Sequence, residues 1–598
     1  MNTCARRSDN VSPRPLPGTV PGLGRHEEKA LIVIGIHNTG ILSSAALVVD
    51  GKLVFGCAEE RLDRRKHSKY FPHLAIGRAL GWQGLTLADV DVFAIGWNPA
   101  INVAGRYRAG FSEWPAYPGE RFSANPNHLL PRLGGAPHVA TDQIFHREGG
   151  KPIQLTYVSH HLAHMTGAYC LSGFDESALF SCDGYGERDT TIWAVGRGSD
   201  IRILKRIEFP HSVGSFYSAI TEFLGFRPDL DEWKVMGAAA YGDPEPYRAA
   251  MERMIRLAPD GGFHLDLDFF DHFNFDTAGY LTPAAHRLLG QPRRGDEAME
   301  QRHFDIAAAA QARLEEVLRW ALDWLRKETN CPRLCLSGGV AMNSLFNGRL
   351  SLDGPFDDVF VPFSPDDSGN SIGAALWVAQ RAGDPVRDQV ITPFLGSSYD
   401  DKAITEAIGR CGLVSTRVDA PAGAAAELLA AGKIVGWFQG RMEFGQRALG
   451  GRSILGSPLD PDMKDRLNSA VKFREGFRPF APAVRAEDVG RFFEAPAGTR
   501  VPFMEKVLPV RAERRRDIPA VVHADGSGRV QTVERDDHPL FHDLITAFGT
   551  LTGVPVLVNT SFNLNGEPIV ESPADAIRTY ATSGMDALML GSHLLSKR

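Results

Sequence analysis

Cysteine is scarce in this chain: there are seven in 598 residues, and they lie far apart. An odd, scattered set offers no disulfide framework and agrees with a reducing, cytoplasmic setting. Cys331 and Cys335 flank Pro-Arg-Leu with no second pair elsewhere, which argues against a structural zinc site. Long apolar runs are also missing, since none reaches the ~18 residues of a membrane-spanning helix. Positive charge is not in excess either. The formal net charge is −7, so no long-range field draws the chain toward nucleic acid or a membrane. The first 28 residues hold four prolines and no apolar core. They are not a secretory signal, and they predict a disordered leader.

What remains is an ordinary globular composition, 43% hydrophobic and 23% charged, at a length that predicts two large domains or more. The most distinctive stretch is Lys433–Pro482. It opens with the apolar residues of a strand, Ile434, Val435, Trp437 and Phe438. Glycines then alternate with cations, in Gly440-Arg441, Gly445-Gln446-Arg447 and Gly450-Gly451-Arg452. Lys472, Arg474 and Arg478 follow around Phe473 and Phe477. Glycine lets backbone N–H groups approach a phosphate, and arginine can grip it with two donors. The pattern predicts an anion pocket rather than a solvated basic face.

Upstream, Ala30–His37 reads as a buried strand. Two further strands follow, joined at Asp50-Gly51, a hairpin signal. The charged run Glu59–His67 fits either a wet helix face or a loop over a site. Val90–Gly96 and Ile153–Val158 are further strands, and the aperiodic region Trp97–Arg147 between them reads as an insertion or a lid on the acceptor side. Ser159 can cap a helix that carries His160, His161 and His164. His160 and His164, four apart, share one face and could ligate one metal, while His161 points elsewhere. Asp183 ends a buried strand before a Gly-Tyr-Gly turn, as a ligand or as a turn former. Residues 243–303 look peripheral, and Phe304–Thr329 has the period of a long amphipathic helix. Two strand–turn–helix units follow. One passes through Ser337-Gly338-Gly339 toward Asn343, the other through Asp366 and Asp367. Together these features suggest a split nucleotide-binding domain. A linker near 383–398 precedes the second half. There Arg529 follows a Gly-Ser-Gly turn, and a buried strand delivers Asn559, Thr560, Ser561 and Asn563 into a loop.

The segments AEERLDRRKH, HHLAH, DGYGE, EWKVMGAAAYG, SGGVAMN, DDSGNSIGAA, GRMEFGQRALGGRSIL, KFREGFRPFAP, HADGSGRVQTV and VNTSFN stand in this order over about residues 30–598. Together they resemble the ATP-dependent O-carbamoyltransferases that decorate hydroxyl groups of antibiotics, of the tobramycin and cephamycin type, and of nodulation factors. The resemblance implies an α/β fold: an actin-like (ASKHA) duplicated domain over 29–382, related to threonylcarbamoyl-transfer enzymes, the linker at 383–398, and a YrdC-like α/β domain over 399–598. It implies that the C-terminal domain makes carbamoyladenylate from carbamoyl phosphate and ATP with Mg2+, and that the N-terminal domain passes the carbamoyl group to a hydroxylated small molecule. By the same resemblance the metal ligands fall on His160, His164, Asp183 and Asp367, with Fe2+ as the ion. The YrdC-like pocket falls on Arg447, Lys472, Arg478, Arg529, Asn559 and Ser561, and the N-terminal nucleotide site on Gly338, Gly339 and Asn343. Neither nucleic acid nor membrane is expected as a partner, and a homodimer is left open.

Two departures stand out. The family carries His-Asp-Ser where this chain has Ile41-Leu42-Ser43, which leaves the general base open; His37 and Lys66 are the candidates on the acceptor side. Gln446 stands in place of the family's usual proline. Two rival readings are transfer to a tRNA or protein, which the acidic balance disfavours, and a nucleotide-sensing module without activity. The acceptor's identity is not legible.

Overall fold

The structure, a computed structural model, describes residues 30–39, 42–99, 140–145, 150–274, 279–386, 389, 392–472 and 480–597. Its first half is built on two mixed sheets. Every residue of the strand Ile32–His37 is buried, as expected for an apolar run without alternation that is covered on both faces. It pairs antiparallel with Ser44–Val49 and parallel with Val92–Ile95. Asp50 and Gly51, with φ of 48° and 74°, turn the chain into Lys52–Ala58; two positive φ values are what a tight hairpin requires. Ile153–Val158 continues the sheet in parallel, and Ala140–Phe145 adds an antiparallel edge.

The second sheet repeats this arrangement. Glu176–Cys182 lies beside Asp189–Arg197, which meets Asp200–Glu208, all antiparallel. Arg333–Ser337 and Asp358–Phe360 extend the other side in parallel. In both sheets the first strand is therefore central, with an antiparallel meander on one side and parallel strands on the other.

Between the sheets run the helices His160–Ser172 and Asn370–Arg381, the first buried along its whole length. They cross backbone against backbone. A Cβ at Gly373 would lie 1.8 Å from the Ala163 carbonyl oxygen, so only glycine fits there. The long amphipathic helix runs over Gln301–Thr329, one turn earlier than its apolar period predicts, because Glu300 and His303 form a reciprocal capping box. Residues 243–303 are not peripheral. Phe263, Leu265, Phe270 and Leu281 join the core beneath that helix, and their irregular spacing is why no period announces them.

The second half is one nine-stranded mixed sheet over 416–596. Val435–Phe438, read as a strand from its apolar run, is fully buried in it between Arg452–Gly456 and Ala587–Leu590. The described part of 383–398 bonds to both halves. The Leu395 carbonyl accepts from Gly56 N–H at 3.2 Å, and Gly396 N–H donates to the Met442 carbonyl at 2.8 Å. Among the described residues no helix is long and apolar enough to cross a membrane, and the described cysteines form no disulfide.

The helix crossing generates a test. Gly373→Ala forces a methyl group against a backbone carbonyl, an overpacking strain of about 1–3 kcal/mol. It is expected to lower the thermal unfolding midpoint and to weaken metal retention, because Asp367 leads into one helix and His160 and His164 stand on the other. An unchanged midpoint with full metal content would contradict this packing account.

Candidate functional site

Three separate pieces of chain bring four side chains together at the N-terminal site. His160 and His164 occupy the first two turns of their helix, and their Nε2 atoms are 3.1 Å apart. Asp183 stands just past the end of the strand Glu176–Cys182, and Asp367 begins the turn that leads into Asn370–Arg381. Asp183 Oδ2 lies 3.1 Å from His164 Nε2 and 3.6 Å from His160 Nε2. Asp367 Oδ1 lies 3.5 Å and 3.4 Å from the same two nitrogens. All four donor atoms fall within 4.8 Å of one another. Two imidazoles and two carboxylates converging on one point fit a divalent ion such as iron, manganese or zinc. Burial disfavours a charge on His164, yet hydrogen bonds and charge from Asp183 and Asp367 raise its pKa to about 9.

Supporting contacts orient these ligands. The Asn370 side-chain amide is 3.1 Å from His160 Nδ1, a contact that fixes the ring while Nε2 faces the cluster. Asp183 Oδ1 accepts from Gly184 N–H at 2.7 Å and Oδ2 from Gly339 N–H at 3.0 Å. His161 turns away, as expected, to Ser181 Oγ and the Asp189 carbonyl, both at 2.8 Å. Ser159 holds the N-cap position, but its hydroxyl makes no capping bond. Glu187 replaces it. Its half-buried carboxylate accepts from His160 N–H at 2.9 Å and from Asn98 N–H at 2.5 Å. Glu187 was visible in the DGYGE segment, but nothing in its spacing showed that it caps a helix 27 residues upstream.

Of the other predicted residues in this half, Gly339, Asn343 and Lys66 line the cavity beside the cluster. Asn343 also caps the next helix through Phe346 N–H at 3.0 Å and exchanges hydrogen bonds with Gln311. Gly338 makes the turn at φ 89°, pressed on the Cys182 backbone, and is not part of the cavity wall among the described residues. Lys66 Nζ donates to Glu60 Oε1 at 3.1 Å, and burial outweighs this partner to pull its pKa down. His37 stands behind the wall, with Nε2 2.8 Å from the Thr39 carbonyl and 3.6 Å from Asp367 Oδ2. The charged run Glu59–His67 is not a wet face, and its end lies over the site, where Lys66 and His67 line the cavity. Glu59, Glu60 and Arg61 are buried, and Arg64 reaches the Pro568 and Ile569 carbonyls of the second half at 2.9 Å and 2.6 Å. Of the Trp97–Arg147 region, 100–139 and 146–147 lie outside the described residues, as does Ile41 of the first-loop departure.

The C-terminal cluster is only partly the anion pocket that the glycine–arginine pattern predicts. Arg441 is spent on the Val54, Leu395 and Gly396 carbonyls. Arg452, fully buried, is spent on the Gln439, Gly440, Gly451 and Ser397 carbonyls. These two are structural. Arg447, Lys472, Arg529, Asn559 and Ser561 do line the cavity, whereas Arg478 lies outside the described residues. Lys472 ends a π-helical turn. Its Nζ bonds to the Ser561 carbonyl at 2.5 Å, the Asn563 carbonyl at 2.9 Å and Asn563 Oδ1 at 2.8 Å, so it also braces the loop that carries Ser561. Asn559 Nδ2 donates to the Ala448 carbonyl at 3.1 Å and Gln531 Oε1 at 2.8 Å. Burial brings Arg447 down to about 10. It takes His523, another wall residue, down to about 4, with the nearby Arg529 acting in the same direction against Asp525.

Both clusters open into one cavity of about 730 Å³. Its wall includes Glu232, which opens the EWKVMGAAAYG segment, and residues that no motif identified: Asp229 and Tyr280 from the first half and Lys464 from the second. Asp229 takes φ of 62° and accepts from the Tyr280 hydroxyl at 2.5 Å. Burial pushes Glu232 up to about 7. Tyr280 and Lys464 are far from Asp229 and Glu232 in sequence, and only the fold brings them to one wall.

The metal fit predicts that replacing both histidines, His160→Ala with His164→Ala, abolishes tightly held divalent metal. Elemental analysis of the purified protein reads this directly. Metal at the wild-type ratio in the double variant would refute the ligand set.

Comparison with known proteins bears on identity. Residues 33–376 match the family described as Carbamoyltransferase N-terminus, and residues 426–597 match Carbamoyltransferase C-terminus. Nodulation protein NolNO of Sinorhizobium fredii is 37% identical over 97% of this chain and 82% of its own length. Nodulation protein NolO of Bradyrhizobium diazoefficiens is 41% identical over 74% of this chain and 79% of its own. A protein of Synechocystis is 36% identical over 94% and 96%. A crystal structure of HypF from T. kodakarensis covers 61% of this chain at 14% identity, with a TM-score of 0.28, and the chain spans about half of that structure's length, 49%; a likeness that weak carries no argument. The two family regions and the long, substantial identity to NolNO and NolO show that this chain belongs to the carbamoyltransferase family.

Proposed function

We propose that the protein is an ATP-dependent O-carbamoyltransferase that works in two steps at two sites, with a hydroxylated small molecule as acceptor and the cytoplasm as its setting. In the first step, carbamoyl phosphate and Mg-ATP react in the second half. Release of both phosphate and pyrophosphate requires one water: carbamoyl phosphate is split to carbamate and phosphate, and the carbamate oxygen attacks the α-phosphorus as pyrophosphate leaves. Arg447, Lys472, Arg478 and Arg529 hold the phosphate groups, and Asn559 and Ser561 orient the carbamoyl end. Fixed cations in a buried site offset the charge that builds at phosphorus without solvent reorganisation.

In the second step the acceptor hydroxyl attacks the carbamoyl carbon, and AMP leaves with the former anhydride oxygen. Gly339 and Asn343 form the seat of the nucleotide, with Gly338 supplying the turn behind them. Lys66, on the cavity wall with its pKa drawn down by burial, is better placed than His37 to take the hydroxyl proton. A divalent ion bound by His160, His164, Asp183 and Asp367, Fe2+ in this proposal, supplies Lewis-acid polarisation. The repeated strand order of the first two sheets supports an actin-like (ASKHA) domain over 29–382, with 383–398 as the join and a YrdC-like domain over 399–598.

The observation that carries this reading is the single cavity lined by the metal carboxylates and by the cations of the second half. Carbamoyladenylate is expected to be labile in water, and a shared enclosure keeps it from hydrolysis. The test is a paired assay of nucleotide release and carbamoylated product. Lys472→Ala is expected to lose adenylate formation by roughly 10–150-fold, the equivalent of one charge-assisted contact, yet to carbamoylate the acceptor from supplied carbamoyladenylate. His160→Ala is expected to turn over ATP with carbamoyl phosphate but to fail in transfer. Equal loss of both activities in both variants would mean one composite site and overturn the two-step relay.

A further inference from the structure

The cavity is charged unevenly. The wall from the first half carries six carboxylate residues against four Lys and Arg, and the wall from the second half four Lys and Arg against two carboxylates. Where the walls meet stands Asp366, one residue before the metal cluster but not part of it. Its Oδ1 accepts from the Ser364 and Ser368 hydroxyls, each at 2.7 Å. Its Oδ2 accepts from Gln446 Nε2 of the second half, also at 2.7 Å. Lys66 and Arg447, from opposite halves, share this stretch of wall with it.

Gln446 is itself pinned. Gly445 before it turns at φ 103°, so close to the first half that a Cβ would lie 2.4 Å from the Phe363 carbonyl oxygen. The Gly445 carbonyl accepts from Arg61 Nη2 at 2.6 Å. The side chain that holds Asp366 is thus an amide on a fixed backbone. An amide fixes a carboxylate without cancelling its charge, whereas a lysine or arginine there would neutralise it. The proline usual at this position could make no such bond.

We propose that Asp366, positioned by Gln446, determines which anion passes between the two sites. It is a fixed negative charge that turns back polyanions and admits a singly charged one. The proposal rests on the reading that carbamoyladenylate travels from the second half to the first. The phosphate of that mixed anhydride carries a single negative charge, whereas ATP, pyrophosphate and carbamoyl phosphate each carry more. Repulsion from a fixed charge grows in proportion to the charge of the visitor and is screened little in an enclosed cavity. The same carboxylate also offsets Lys66 and Arg447, which would otherwise retain the adenylate midway.

The test uses the full-length, metal-loaded protein and follows carbamoylated product per AMP released while ATP, and separately pyrophosphate, is raised to millimolar levels. In the wild type this ratio is expected to stay constant. In Asp366→Asn, which keeps the shape but removes the charge, it is expected to fall by roughly tenfold, as polyanions compete at the transfer site and the carbamoyladenylate held back hydrolyses to AMP and carbamate. Asp366→Glu restores the charge and should restore the constant ratio, and Gln446→Ala should fall between the two. Metal content is measured alongside, because a merely structural effect on the neighbouring Asp367 would lower it. A ratio in Asp366→Asn as insensitive to ATP and pyrophosphate as in the wild type would overturn the charge filter and leave the two-step reading standing. A wild type that forms no AMP from carbamoyl phosphate and ATP would bring down both.

Discussion

Ala163 and Gly373 bring two helix backbones so close that no side chain fits between them, and the first half of the molecule depends on that contact. One helix carries His160 and His164, and the other follows directly from Asp367. With the crossing fixed, two imidazoles and two carboxylates from three separate stretches of chain meet within a few ångströms. Around this point the sequence puts small residues where backbones touch and carboxylates where strands end. Glu187 and Asn370 then hold His160 from its backbone and from its ring.

The second half meets this arrangement through its own loops rather than across a loose hinge. Arg61 and Arg64 bond to carbonyls of the second half, Gln446 bonds to Asp366, and Arg441 bonds back to the Val54 carbonyl. Polar contacts of this kind fix register, because each buried donor left without its acceptor would cost about 1–3 kcal/mol. The cations that remain for chemistry are consequently few, and they face a cavity whose far wall is acidic. A shared interior with opposite charge at its two ends suits a reaction in which a polyanion is consumed at one end and a less charged product is used at the other.

Much of this was legible in the sequence, for physical reasons that differ from residue to residue. Local periodicity and turn chemistry gave the Ile32–His37 strand, the Asp50-Gly51 hairpin and the long helix. Spacing put His160 and His164 on one face, and the resemblance to a known family supplied the carboxylates that complete the set. Composition could not distinguish cations that face a ligand from cations that hold carbonyls. Arg441 and Arg452 stand in the same glycine-rich pattern as Arg447, yet their partners come from residues that only the tertiary fold brings near. The same applies to Glu187, which caps a helix in place of the adjacent Ser159, and to Asp229 and Tyr280. The region 243–303 read as peripheral because its buried phenylalanines and leucines follow no single period. Gln446 was visible only as a departure, and its partner Asp366 gives that departure a physical meaning.

The central claim is that the activated carbamoyl group passes between the two sites without entering solvent. Isotope dilution tests it most directly. Protein turning over labelled carbamoyl phosphate with ATP and an acceptor is given a pool of unlabelled carbamoyladenylate, and the specific label of the carbamoylated product is measured. Passage through the shared cavity predicts product that keeps nearly the full label of the carbamoyl phosphate. Label falling in proportion to the added pool would show that the intermediate leaves the protein between steps, and would contradict the account.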